Sequence, residues 1–116
     1  MGGVGLQTSI EMINNNLVVA LDGELDHHTA KEVREEIDKA INRENAKNIV
    51  FDFKKVRFMD SSGIGVVIGR FKKIKEYGGQ AGVINLNDRV HKIFKMSGLL
   101  NIIKYYETKE EALENL

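Results

Sequence analysis

Asn48-Ile49-Val50-Phe51-Asp52-Phe53, followed by Phe58-Met59-Asp60-Ser61-Ser62-Gly63-Ile64-Gly65, is the stretch on which the fold turns. The first run is short, β-branched and aromatic, the composition of a buried strand. Beyond Asp60, apolar side chains fall at Ile64, Val67, Ile68, Phe71 and Ile74, the spacing of one helix face. That pattern stops at Gly78-Gly79, residues suited to a helix C-cap. A strand and a loop therefore lead into a helix, with Ser61 and Ser62 at its N-terminus and chemically able to cap it. Free backbone N–H groups and the positive end of the helix dipole favour an anion there, and a phosphoryl group on serine would supply one.

Upstream, Ser9–Ile13 and Leu17–Leu21 read as two strands of a hairpin turned at Asn14-Asn15-Asn16, whose side chains tolerate left-handed backbone. Ala30, Val33, Ile37 and Ile41 then recur at helical spacing, with Asp26 or Thr29 available as N-cap. Downstream, Gly82–Leu86 reads as a strand. A short helix follows, carrying Val90, Ile93 and Phe94 and closing near Gly98. The apolar run Ile102–Tyr106 precedes a terminal helix opened by Thr108, with Glu111 three residues on as a capping box. Strands alternating with helices predict one α/β domain with a mixed sheet and helices gathered largely on one side.

Composition narrows the function classes. The chain has 116 residues, enough for one compact core, and 17 basic side chains balance 17 acidic ones, so no basic stripe invites nucleic acid. There is no cysteine, hence neither a disulfide framework nor a thiolate zinc site. The uncharged run Ser61–Gly69 is far too short to span a membrane and no signal peptide opens the chain, so a cytoplasmic protein is expected. Leu6 stands where a myristoylation signal needs a hydroxyl, which leaves residues 1–5 as a flexible lead before a domain over residues 6–116.

Catalytic patterns fit poorly. Neither Ser61 nor Ser62 has the flanking glycines of a nucleophile elbow, and Gly63, Gly65 and Gly69 miss the dinucleotide fingerprint. Asp26-His27-His28 invites a metal reading, a small phosphoesterase using Asp26 and His28. Adjacent histidines diverge at a helix start, however, and His91 has no carboxylate pattern around it. Asp26 as a cap with solvent-facing imidazoles is the simpler arrangement, compatible with a polar contact patch for a partner.

Four segments carry a resemblance: Gly23-Glu24-Leu25-Asp26-His27-His28-Thr29-Ala30, Phe58–Gly63, Gly69-Arg70 and Met96-Ser97-Gly98-Leu99. In order and spacing they resemble the anti-anti-sigma factors with the STAS fold, and within them the sporulation branch that antagonises anti-sigma-F factors. The similarity runs from about Leu6 to the C-terminus. General-stress antagonists of the same fold usually carry threonine as the second hydroxyl and lack the paired histidines; this chain has Ser62 and His27-His28.

The resemblance implies a mixed sheet of four to five strands flanked by about four helices, and a regulatory protein without catalysis or cofactor of its own. Its implied partner is a dimeric anti-sigma factor that is also a serine kinase and binds the ATP and Mg. The unphosphorylated antagonist, a monomer when free, docks on that kinase and frees the sporulation sigma factor. Phosphorylation of the first serine, Ser61 by position, ends the contact, and a PP2C-type phosphatase restores it. By the same matching, Asp26, His27, Asp60, Ser62, Gly63 and Arg70 fall in or beside the docking surface. A general-stress or ligand-sensing STAS module is the alternative within the fold.

Overall fold

The computed structural model describes residues 5–116; the expected lead over residues 1–5 lies, apart from Gly5, outside the described residues. Strands β1 (Leu6–Ile13) and β2 (Asn16–Leu25) form the hairpin, with Asn14 left-handed at φ 58° in the turn. Helix α1 (Ala30–Glu44) leads to β3 (Asn48–Met59), and α2 (Ser61–Glu76) to β4 (Ala81–Ile84). Helix α3 (Asp88–Met96), a 3₁₀ turn (Leu99–Asn101), β5 (Lys104–Tyr106) and α4 (Lys109–Asn115) complete the fold. The sheet order is β1-β2-β3-β4-β5, antiparallel only between β1 and β2. This is the mixed five-stranded sheet with four helices that the resemblance implied.

Alternation along the central strands assigns the two faces. Leu17, Val19, Ile49, Phe51, Phe53 and Val83 point to the larger core, where α1 sends Val33, Ile37 and Ile41, α2 sends Val66, Val67 and Ile74, and α3 sends Val90 and Phe94. Phe53 meets Phe94 edge-on at 5.4 Å between ring centres, a favoured aromatic geometry. Val18, Val50 and Ile84 point the other way, into a smaller cluster with Tyr106 and Ala112 that α4 closes. Three helices thus share one face and the fourth covers part of the other.

Several boundaries depart from the sequence reading. β3 runs on to Met59 instead of stopping at Phe53, and β2 to Leu25 instead of Leu21, because register shifts between Ala20 and Asp22 and between Gly23 and Glu24 let the strands keep pairing past Lys54 and Lys55. No loop therefore precedes Asp60; the strand hands over to α2 at that residue. β4 ends at Ile84, where Asn85 turns left-handed at φ 59°, and β5 begins only at Lys104. The end of α2 is as expected in chemistry: Gly78, at φ 81°, donates to the Lys75 carbonyl and Gly79 to that of Ile74, both at 2.9 Å, a Schellman closure. At α4, Thr108 Oγ1 accepts the Glu111 N–H at 3.1 Å, but the Glu111 carboxylate reaches the Glu107 amide, one residue earlier than a capping box requires.

Candidate functional site: two helix starts joined by a carboxylate

Leu25 and Met59 are register partners at the ends of β2 and β3, and each strand then yields to a helix. This brings Asp26–Thr29 and Asp60–Ser62 side by side although more than thirty residues separate them in sequence. The Asp60 N–H donates to the Leu25 carbonyl at 3.3 Å, fixing the crossing point.

The N-cap of α2 is Asp60, with extended backbone, rather than either serine. Its Oδ1 accepts the N–H of Ser62 at 2.8 Å and of Gly63 at 3.3 Å, satisfying two of the orphan donors of the first turn. Its Oδ2 accepts the His27 N–H at 3.3 Å, and His27 Nδ1 stands 3.7 Å from the same oxygen. Partial burial, the largest single influence, pushes the Asp60 carboxyl up. The bonds from Ser62, Gly63 and His27 together outweigh it and hold the group below the usual carboxylate value. Asp60 is therefore charged at neutral pH.

Relieved of capping, Ser61 is the first residue of α2 and exposed, while Ser62 is half-buried behind it. Gly63 is buried where the first turn of α2 meets the end of β2: a Cβ there would lie 2.6 Å from the Leu25 carbonyl oxygen. The close approach needs glycine and sets how near the serines sit to the Asp26 turn.

Asp26 serves the turn before α1. Its Oδ1 accepts the His28 N–H at 2.8 Å and the Thr29 N–H at 3.3 Å, and its backbone carbonyl accepts from Ala30 at 2.9 Å. Thr29 occupies the cap position of α1, yet its hydroxyl looks backward, donating to the Glu24 carbonyl at 2.8 Å and accepting the Asp26 N–H at 3.1 Å. This second role of Thr29 was invisible in sequence, since nothing in a helix-start pattern tells a forward from a backward hydroxyl. His27 and His28 are exposed and their rings lie 3.9 Å apart. His91 lies on α3 beside Tyr105, and among the described residues no three His, Asp or Glu side chains converge as metal ligands.

Arg70 lies nine residues along α2 and is buried, at 7% exposure. Its Nε is 2.9 Å from Asp38 Oδ1 on α1, a contact of charges not aligned as a hydrogen bond, and Lys73 Nζ stands 3.7 Å from the same oxygen. Burial draws the guanidinium below its ordinary value, Asp38 opposes that and Arg34 adds to it; an arginine nonetheless stays protonated. Asp38 was not singled out in sequence, because its partner is over thirty residues away.

A mixed sheet in chain order, with an exposed serine beside the capping aspartate of α2, matches a known domain lineage: the chain belongs to the STAS domain family, whose match spans residues 7–112. Among its relatives, the anti-sigma F factor antagonist of Paenibacillus polymyxa is 43% identical over 113 residues, 97% of each chain. The anti-sigma factor antagonist SpoIIAA in its unphosphorylated form aligns at a TM-score of 0.81 and 35% identity over 93% of this chain and 94% of that one. The Bacillus cell fate determinant SpoIIAA in the phosphorylated form aligns at 0.73 and 34%, over 93% and 97%.

Proposed function

We propose that the protein is an anti-anti-sigma factor of the sporulation type, which binds an anti-sigma factor that is also a serine kinase and thereby releases the sigma factor. The observation that carries this reading is the exposed Ser61 at the first position of α2, beside a capping Asp60 that binds the turn containing Asp26 and His27. Those residues and Ser62 form the docking surface; Gly63 is buried in the same turn of α2, and Arg70 is buried further along that helix. The kinase, a dimer, contributes ATP and Mg and phosphorylates Ser61, and a PP2C-type phosphatase reverses the step. The antagonist itself is a cytoplasmic monomer when free and carries no catalytic group or cofactor. The relationship to SpoIIAA, described in both unphosphorylated and phosphorylated forms, supports phosphorylation as the switch.

The switch acts by charge. Phosphorylation adds about −1.5 to −2 charge at Ser61. The positive end of the α2 dipole accommodates it within the fold, while Asp60 and Asp26 add negative potential on the same surface. A partner that presents nucleotide phosphates there meets like charge, and each ~1.4 kcal/mol of repulsion weakens binding about tenfold.

The test is intact-mass and peptide mapping after incubation with the cognate kinase and Mg-ATP, beside Ser61→Ala and Ser62→Ala variants. One phosphoryl group, lost only with Ser61→Ala, is the expected result. Loss with Ser62→Ala instead would move the site, and no modification at all would remove the phosphorylation switch.

A further inference from the structure

Among the described residues, Arg70 is the one charged side chain that is buried, and its burial is poorly compensated. One carboxylate, Asp38, answers both Arg70 and Lys73, while Arg34 adds a like charge near the guanidinium; Arg70 Nη1 is buried without an acceptor. A buried ion pair of this kind contributes little net stability relative to apolar side chains of the same volume, so its effect is sought in geometry. Here it joins α1 to α2.

The two helices touch through polar groups at two levels. At their starts the His27 N–H donates to Asp60; about 15 Å further along α2, ten residues at the helical rise, Arg70 meets Asp38. Between those levels α2 carries Gly65 and Gly69, where an added Cβ would meet nothing within 4 Å, so these positions offer no grip and weaken the helix itself. A helix opening Ser61-Ser62-Gly63 and punctuated by two more glycines is held between those levels by the apolar packing of Val66 and Val67, and is joined to α1 by polar contacts at the two ends.

We propose that the Asp38–Arg70 pair is a positioning clamp that sets the register of α2 on α1 and so presents Ser61 to the partner kinase. The proposal rests on the function proposed above for its kinetic consequence, but not for its structural one. Arg70 and Asp38 are positioning residues: they act through the helix, not on the phosphoryl group.

The experiment pairs two readouts on wild type, Asp38→Asn, Arg70→Met and the double variant. The first is amide hydrogen exchange, which needs no kinase: the Ser62 and Gly63 N–H groups, bonded to Asp60, should exchange faster in each single variant, beyond what the change in global stability accounts for. The second is Ser61 phosphorylation, where kcat/KM should fall about tenfold or more in each single variant and no further in the double. Unchanged exchange at Ser62 and Gly63 overturns the clamp. So does a loss of phosphorylation with Arg70→Met but not Asp38→Asn, since Arg70 would then act directly on the partner. Should Arg70→Met fail to fold, Asp38→Asn decides alone by both readouts. Faster exchange in the variants, together with a wild-type protein that the kinase never modifies, keeps the structural clamp but overturns its role in presenting Ser61, and with it the phosphorylation reading.

Discussion

The amide of His27 donates to Asp60 Oδ2 across 3.3 Å, so the start of one helix is held by the cap of the next. Because Asp60 Oδ1 simultaneously accepts from Ser62 and Gly63, its two oxygens divide the work between α1 and α2. Asp60→Ala should therefore cost about 1–2 kcal/mol, the upper range for an N-cap, and lower the melting temperature by several degrees. Asp60→Asn keeps an acceptor and should cost less. Equal losses in thermal denaturation would show that charge, not capping, dominates.

Acid sensitivity follows from the same group. The Asp60 carboxyl is held below its ordinary value of 3.8, so its contribution is complete above that pH and is lost as pH falls through the lower folded-state value. Urea unfolding at stepped pH should show a shallower acid limb in Asp60→Asn than in wild type. Superimposable limbs would remove Asp60 from the acid transition.

The three glycines of α2 should separate by sign. At Gly65 and Gly69 a Cβ meets nothing within 4 Å, so Gly65→Ala and Gly69→Ala should each raise stability by about 0.5–1 kcal/mol. Gly63→Ala should destabilise, because the new Cβ would lie 2.6 Å from the Leu25 carbonyl oxygen. Calorimetry on the three variants checks this, and a stable Gly63→Ala would mean that α2 can shift off β2 at no cost.

Phosphoserine at Ser61 should leave the fold in place, since a negative charge in the first turn is stabilising by a few tenths to about 1 kcal/mol. Amide chemical-shift changes should cluster in residues 26–29 and 60–64, while affinity for the proposed partner kinase falls about tenfold for each ~1.4 kcal/mol of repulsion. Large shifts in α3 or α4 would point to refolding.

Asn48, first residue of β3, ties the start of β2 to the residue before β4: its Nδ2 donates to Asn16 Oδ1 at 2.9 Å and its Oδ1 accepts the Gln80 N–H at 2.8 Å. Both asparagines are buried. Asn48→Ala should cost about 1–3 kcal/mol by stranding those partners, read from denaturant midpoints. A neutral effect would mean that solvent reaches the site.

What sequence conveyed here was local. The apolar periodicity of α1, α2 and α3, the Asn14 turn and the glycine closure of α2 all depend on neighbours a few residues apart, and the structure has each of them. The far halves of β2 and β3 were hidden because Lys54, Lys55 and Arg57 look like loop, and only pairing with a strand thirty residues away makes them sheet. The site was half legible. Ser61 at a helix start was read correctly, but the cap moved one residue back to Asp60, because three adjacent residues, Asp60, Ser61 and Ser62, are all competent caps. Links such as Asp38 to Arg70 leave no periodic trace.

The sheet order repeats the order of the chain, β1 to β5, without a strand inserted between earlier ones. Each strand emerging from a ribosome therefore finds its template already laid down, and assembly can proceed in one direction, with no loop closure that waits on a distant segment. The Ser61 surface, built from β2, β3 and the starts of α1 and α2, is assembled before β4, α3 and β5 dock. The apolar residues Val18 and Val50 on the opposite face stay bare longest, until Tyr106 and α4 arrive. The nascent protein's vulnerable surface is thus on the side of the sheet away from α2, and a slow step or truncation late in synthesis would expose a sticky face without disturbing Ser61.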